Sequence, residues 1–146
     1  MNPSWHIFFG FLFSVFLFFL FPEVGITNLS LLFLSSVLID VDHYLFYIYE
    51  RRGFNLIRAY DYFIIHKKKW EKFGKCVNYN FPPSFFIFHG LEVLLLLFVL
   101  SFFFKPLYFV FVGFSFHLLL DLFEQAVYLS KFQKISVVND FLNYKR

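Results

Sequence analysis

Four long runs of apolar residues dominate the sequence, at about residues 4–21, 29–48, 84–104 and 107–129. A helix needs about 17–25 predominantly apolar residues to cross the hydrocarbon core of a bilayer. Because the bilayer core holds no water to satisfy backbone polar groups, spanning segments of this length must be hydrogen-bonded internally, as helices are. The four runs therefore predict an all-α integral membrane protein, a four-helix bundle that forms a single transmembrane domain over residues 1–146.

The composition also favours lipid over water as the surrounding solvent. Of the 146 residues, 60% are hydrophobic and 27% are aromatic, whereas ordinary soluble domains are about 45–50% apolar. Cys76 is the only cysteine, so an internal disulfide is excluded and the fold must depend on helix packing. The first apolar run is expected to be retained, since no Lys or Arg precedes it and no A-x-A cleavage site follows it.

Basic residues are concentrated between the second and third runs. Residues 50–83 contain eight of the 13 lysines and arginines, and the positive-inside rule places such a segment in the cytoplasm. Four antiparallel spans then put both termini in the cytoplasm, which predicts a multi-pass protein of the cell membrane. Within this loop, residues 54–73 mix apolar and basic side chains, which is typical either of an interfacial amphipathic helix or of a solvated loop.

Several ionisable residues interrupt the apolar runs, although each central Asp or Lys costs about 2.5–3.5 kcal/mol to insert. Such residues usually serve a function. On the first and third spans these residues lie near the start of the span, and on the second and fourth they lie near its end. At a rise of about 1.5 Å per residue, most of them therefore fall in one layer roughly 8–12 Å from the cytoplasmic end of the spans. The residues are His6, Asp40, Asp42, His43, His89, Glu92, His117 and Asp121.

Six of these residues form pairs with helical spacing, which would place a histidine and a carboxylate on the same face of a helix. The pairs are Asp40 with His43, His89 with Glu92, and His117 with Asp121. Asp42 differs, because in a straight helix it points about 200° away from Asp40. Asp42 can join this layer only if the helix unwinds at that point.

Imidazole nitrogens and carboxylate oxygens are ligands of Zn²⁺, Mn²⁺ and Fe²⁺, and zinc is the preferred prediction. A divalent ion lowers the pKa of a bound water toward about 7, which favours hydrolysis. We predict Glu92 as the general base and Asp42 as a second catalytic candidate. For any one histidine, an interhelical hydrogen bond worth roughly 0.6–2 kcal/mol is the simpler interpretation. The predicted metal ligands are His6, Asp40, His43, His89, His117 and Asp121.

The order of these residues resembles the membrane-bound metal-dependent hydrolases of the LexA-regulated YdjM type. The resemblance covers all four runs and implies hydrolysis with a bound metal. Ile39 stands where that family usually has proline, and Gly90 stands where it often has arginine or serine. The matching residues are His6, Asp40-x-Asp42-His43, His89 and Gly113-x-x-x-His117-x-x-x-Asp121.

These features together predict a metal-dependent hydrolase that acts at the cytoplasmic leaflet. The basic loop would attract anionic headgroups, so a phosphoester or lipid-type substrate is expected and a nucleic-acid partner is not. Two alternatives use the same residues. Paired histidines in a bundle can hold haem iron, although Asp40 and Asp121 are not needed for that, and intramembrane His and Asp residues can form an ion or proton pathway.

Overall fold

The computed structural model describes residues 3–73, 86–128 and 136–144. Over these residues the chain is helical and contains no strand. Cys76, the end of the basic loop at residues 74–83, the start of the third predicted span at 84–85 and residue 129 lie outside the described residues. The basic residues Lys131, Lys134, Lys145 and Arg146 also lie outside them.

Three helical segments are long and apolar enough to cross a membrane, namely Pro3–Leu20, Ile26–Arg51 and Lys105–Tyr128. Large apolar side chains such as Phe16 and Phe19 are exposed on the first of them, as expected for a surface that faces lipid. The chain is therefore a membrane protein by the length and composition of its helices. The helices are α1 (Pro3–Leu20), α2 (Ile26–Leu38), α3 (Val41–Arg51), α4 (Leu56–Phe73), α5 (Leu91–Ser101), α6 (Lys105–Tyr128) and α7 (Val137–Tyr144).

Proline and glycine account for several helix boundaries. A short 3₁₀ helix, Pro22–Val24, follows α1, because proline has no N–H to continue the α-helical ladder. Gly25 then adopts φ 77° immediately before α2, a conformation that glycine reaches without a steric penalty. Pro106 lies in the first turn of α6, where its missing N–H would have had no intrahelical partner.

The second apolar run is broken in the middle. Helix α2 ends at Leu38 and α3 begins at Val41, with Ile39 and Asp40 in a turn. The backbone N–H of His43 donates to the carbonyl of Asp40 at 3.1 Å, which is the tighter spacing of a 3₁₀ turn. The unwinding that Asp42 requires is therefore present.

The third apolar run differs from the sequence prediction. Its helix, α5, covers Leu91–Ser101 only, and His89 lies in the turn before it. The backbone N–H of Phe88 donates to Asp42 Oδ2 at 3.0 Å, so this segment satisfies a polar group outside a helical ladder. His89 and Glu92 consequently do not share one helix face as their spacing predicted.

The chain divides into two compact units. The first comprises Met1–Ile39 with Leu91–Asp121, and the second comprises Asp40–Gly90 with Leu122–Arg146. The first unit thus contains α1, α2, α5 and most of α6. The second contains α3, α4, the end of α6 and α7.

Small residues bring the helices of the first unit close together. A Cβ atom added at Gly113 of α6 would collide with Ser35 Oγ and the Leu32 carbonyl of α2. One added at Gly10 of α1 would lie 2.6 Å from Ser36 Oγ. Such close backbone approach through glycine and serine is how transmembrane helices pack without a hydrophobic driving force.

Gly113→Ala is expected to destabilise the protein by about 1–3 kcal/mol, because the new methyl group meets backbone and side-chain atoms of α2. The control is Gly53→Ala, where the added Cβ would make only ordinary contacts, at 3.8 Å. Thermal unfolding of both variants in detergent would show a lower midpoint for Gly113→Ala alone. Equal midpoints for the two variants would contradict the close approach at Gly113.

In the second unit, α3 and α4 pack through aromatic and charged side chains. The rings of Tyr47 and Tyr62 lie 5.6 Å apart, and the Arg51 guanidinium lies 5.1 Å from the centre of the Tyr62 ring. Burial raises the pKa of the Tyr62 phenol, and the charge of Arg51 opposes that shift. Lys67 Nζ of α4 lies 3.0 Å from Glu124 Oε1 at the end of α6, so these two residues form an ion pair.

Candidate metal centre

Three of the predicted ligands come together in the second unit. Asp40 lies in the turn before α3, His43 lies in the first turn of α3, and His89 lies in the turn before α5. One ligand atom from each of the three lies within 4.8 Å of the others. The helix break at Asp40 and the short α5 together produce this cluster.

Asp42 holds the histidines of this cluster in place. Its side chain is almost fully buried, with 3% exposure. Asp42 Oδ2 lies 3.0 Å from His89 Nδ1, and Asp42 Oδ1 lies 3.0 Å from His43 Nδ1. With the Phe88 N–H at 3.0 Å, three donors converge on one carboxylate. This arrangement fixes the orientation of the His89 ring and leaves its Nε2 on the opposite side.

The other nitrogen of His89 faces Asp40. His89 Nε2 lies 3.6 Å from Asp40 Oδ1, and His43 Nδ1 lies 3.4 Å from the same oxygen. Phe86 stacks on His43 with ring centroids 4.1 Å apart, and Phe63 makes a T-shaped contact with His43 with ring centroids 5.2 Å apart. Aromatic packing therefore restrains His43 on two sides.

The remaining three predicted ligands come together in the first unit. His6 of α1 is buried, and its Nε2 lies 3.2 Å from Asp121 Oδ1. His117 is fully buried, and its Nε2 lies 3.4 Å from Asp121 Oδ2. The two imidazole rings stack with their centroids 3.8 Å apart. One carboxylate therefore faces two histidine nitrogens from different helices.

His117 is oriented by a backbone group. Its Nδ1 donates to the carbonyl of Ser36 at 2.7 Å, where α2 is already held close to α6 by Gly113. This bond assigns a proton to Nδ1 and leaves Nε2 of His117 facing Asp121. A histidine whose Nδ1–H donates to a carbonyl or a carboxylate is the usual arrangement around a protein-bound metal.

The histidine contacts fall into two distance classes. The contacts at Nδ1 of His89 and His117 are 3.0 and 2.7 Å long, which is hydrogen-bond length. The contacts of His89 and His117 at Nε2 with Asp oxygens are longer, at 3.6 and 3.4 Å respectively, whereas that of His6 Nε2, at 3.2 Å, is at the upper end of hydrogen-bond length. Two ligands that each lie about 2.0–2.2 Å from a tetrahedral ion are roughly 3.3–3.6 Å apart. The donor set of the second unit, Asp40 with His43 and His89, could therefore hold a divalent ion.

All six predicted metal ligands thus fall into the two groups, three in each unit. Glu92, the predicted base, is half-buried in the first turn of α5 and belongs to neither group. His66 also lies outside them, since its Nδ1 donates to the Tyr62 carbonyl of its own helix at 2.7 Å. Sequence reasoning missed the backbone partners, the Ser36 carbonyl and the Phe88 N–H, because every residue carries these groups and no residue type reveals them.

Comparisons of this chain with profiles of protein families, with curated proteins and with solved structures found no match. The function must therefore be argued from the geometry of the chain itself.

Proposed function

We propose that this chain is a membrane-bound, metal-dependent hydrolase. The observation that supports the proposal best is that Nδ1 and Nε2 of two histidines make contacts of different kinds and lengths. In His89 and His117 the Nδ1 atom is engaged at hydrogen-bond length, while Nε2 faces a carboxylate at 3.6 and 3.4 Å respectively. A histidine with one nitrogen hydrogen-bonded to a carboxylate or a carbonyl and the other directed toward further ligands is the usual arrangement at a protein-bound metal.

The two groups supply ligands of the types that zinc, manganese and iron accept, and zinc remains the preferred ion. When bound, a divalent ion supplies a Lewis acid and activates water for attack on an ester. Haem is less well supported, because His6 and His117 stack directly on each other at 3.8 Å rather than facing each other across a porphyrin. The resemblance to YdjM-type hydrolases remains part of the proposal. The proposed ligands are Asp40, His43 and His89 in the second unit, and His6, His117 and Asp121, which contact one another in the first.

The carboxylates outside the ligand set have different proposed roles. Asp42 accepts hydrogen bonds from two histidines and one backbone N–H, so we assign it a positioning role in place of the catalytic role expected from the sequence. Glu92 remains the proposed general base, which would take a proton from the attacking water. Substitution of Glu92 by Gln would preserve the shape of this side chain.

The substrate class and topology follow from the distribution of charge. Eight basic residues in residues 50–83 favour a cytoplasmic position for this loop and an anionic substrate such as a phosphoester or a lipid. We propose that both termini are cytoplasmic and that the protein resides in the cell membrane as a multi-pass protein.

Elemental analysis and hydrolysis assays on the purified protein test this proposal. We expect at least one divalent transition metal ion per chain, because this many buried carboxylates and histidines would otherwise be costly to insert. Hydrolysis of bis-para-nitrophenyl phosphate or short-chain phosphatidic acid should stop on chelation and return with added Zn²⁺ or Mn²⁺. A Soret band would instead indicate haem, and proton flux into liposomes without hydrolysis would indicate a carrier; either result would contradict the proposal.

A further inference from the structure

A cluster of exposed apolar side chains lies where α3 turns into α4. Phe54, Leu56 and Ile57 have exposures of 77%, 66% and 75%. All three follow the candidate span Ile26–Arg51, so they are not part of a segment that the hydrocarbon core would cover. We call residues 51–58 the α3–α4 corner. Three large apolar side chains at such a corner need a partner that excludes water from them.

The backbone of the corner is held in one conformation by its own hydrogen bonds. Arg52 adopts φ 54° and its N–H donates to the Ile48 carbonyl at 2.9 Å. The Tyr44 hydroxyl donates to the Phe54 carbonyl at 2.7 Å. Asn55 Oδ1 then caps α4 by accepting from the Arg58 N–H at 3.0 Å. The exposed side chains therefore project from an ordered turn.

The charge around the corner indicates the nature of the partner. Arg51, Arg52 and Arg58 are all exposed and flank the three apolar side chains on both sides in the sequence. The nearest acidic residues, Glu50 and Asp61, each lie four positions from the closest of these side chains, so the three arginines outnumber them. Apolar side chains flanked by arginines match the headgroup region of a bilayer, where acyl chains lie beneath anionic phosphates. Arginine binds such phosphates with paired N–H donors.

The position of the corner along the chain supports the same partner. Arg51 is the last residue of a segment long enough to cross the membrane, so the corner begins where that segment would leave the hydrocarbon. The lipid headgroup layer lies at this point of every transmembrane helix, so it is available as the partner of the corner. Further along α4, Tyr60 and Ile65 are also exposed, which extends the apolar surface from the corner along the helix.

We propose that the α3–α4 corner docks into the headgroup region of an anionic bilayer. Phe54, Leu56 and Ile57 insert toward the acyl chains, and Arg51, Arg52 and Arg58 bind the lipid phosphates. The result is a second membrane attachment in addition to the spanning helices, and it orients α4 along the surface. This inference depends on membrane insertion but not on metal binding or hydrolysis.

A spin label at the corner tests the proposal. In a Cys76→Ser background, Ile57→Cys is labelled with a nitroxide and the full-length protein is reconstituted into phosphatidylcholine vesicles with or without phosphatidylglycerol. We expect the nitroxide to collide more often with dissolved oxygen, which concentrates in the bilayer, than with a water-soluble nickel complex. The difference between these two collision rates should be larger in vesicles that contain phosphatidylglycerol. A label at Phe54→Cys repeats the measurement if the first variant does not fold. Lys69→Cys, also exposed on α4 and about 120° around the helix from Ile57, should collide more with the nickel complex.

Neutralising the arginines separates lipid binding from burial against protein. The variant Arg51→Gln, Arg52→Gln and Arg58→Gln should abolish the difference between the two lipid compositions at position 57. Access of the nickel complex to position 57 in both kinds of vesicle would overturn the proposal. Equal protection in both compositions that persists in the arginine variant would also overturn it, because such protection would come from protein contacts.

Discussion

His89→Ala is expected to lower the affinity for a divalent ion by at least about 10²-fold. His89 presents Nε2 to Asp40 at 3.6 Å while Asp42 holds its Nδ1 at 3.0 Å, so the substitution removes both a proposed ligand and the group that Asp42 orients. Loss of an outer-shell partner alone typically reduces metal affinity by about 10–100-fold, and loss of a ligand should exceed that. Calorimetric titration of the metal-free protein in detergent with Zn²⁺ measures the affinity of each variant.

Two further variants show whether this effect is specific. Asp42→Asn should cost about 10–100-fold in affinity, as expected for a residue that positions a ligand. His66→Ala removes a histidine that bonds only within α4 among the contacts described, and it should leave the affinity unchanged. Wild-type affinity in His89→Ala, or an equal loss in His66→Ala and His89→Ala, would show that His89 is not a ligand.

The second large effect concerns catalysis. Glu92→Gln should retain the bound metal and the fold but reduce hydrolysis by at least about 10²-fold, the lower end of the contribution of a positioned general base. Gln preserves the shape of the half-buried Glu92 side chain and removes its basicity. Rates on the same phosphoester, together with metal content for wild type and variant, measure this separation.

Asp121→Ala provides the contrasting result. Its carboxylate faces His6 and His117 at 3.2 and 3.4 Å, so its removal should reduce both metal content and activity. Equal rates for Glu92→Gln and wild type would remove Glu92 from the mechanism. Loss of metal in Glu92→Gln would make Glu92 a ligand, and the base would then have to be sought elsewhere.

The sequence alone determined the helical class and most of the candidate spans. Run length and apolar composition predicted helices near residues 4–21, 29–48 and 107–129, and the structure has candidate spans at Pro3–Leu20, Ile26–Arg51 and Lys105–Tyr128. These features could be predicted because a membrane limits segments to a fixed apolar length and excludes most ionisable groups. The same exclusion singled out the six proposed ligands, since each is a polar residue in an otherwise apolar run.

Only the tertiary structure decided how these residues are used. Helical spacing paired His89 with Glu92, but His89 lies in a turn and bonds to Asp42, which is far from it in sequence. The choice between Nδ1 and Nε2 of His117 depends on the Ser36 carbonyl, which reaches it because Gly113 lets α2 and α6 approach. Spacing along one helix describes neighbours on that helix, whereas these bonds join separate segments, and their partners include backbone groups that every residue possesses.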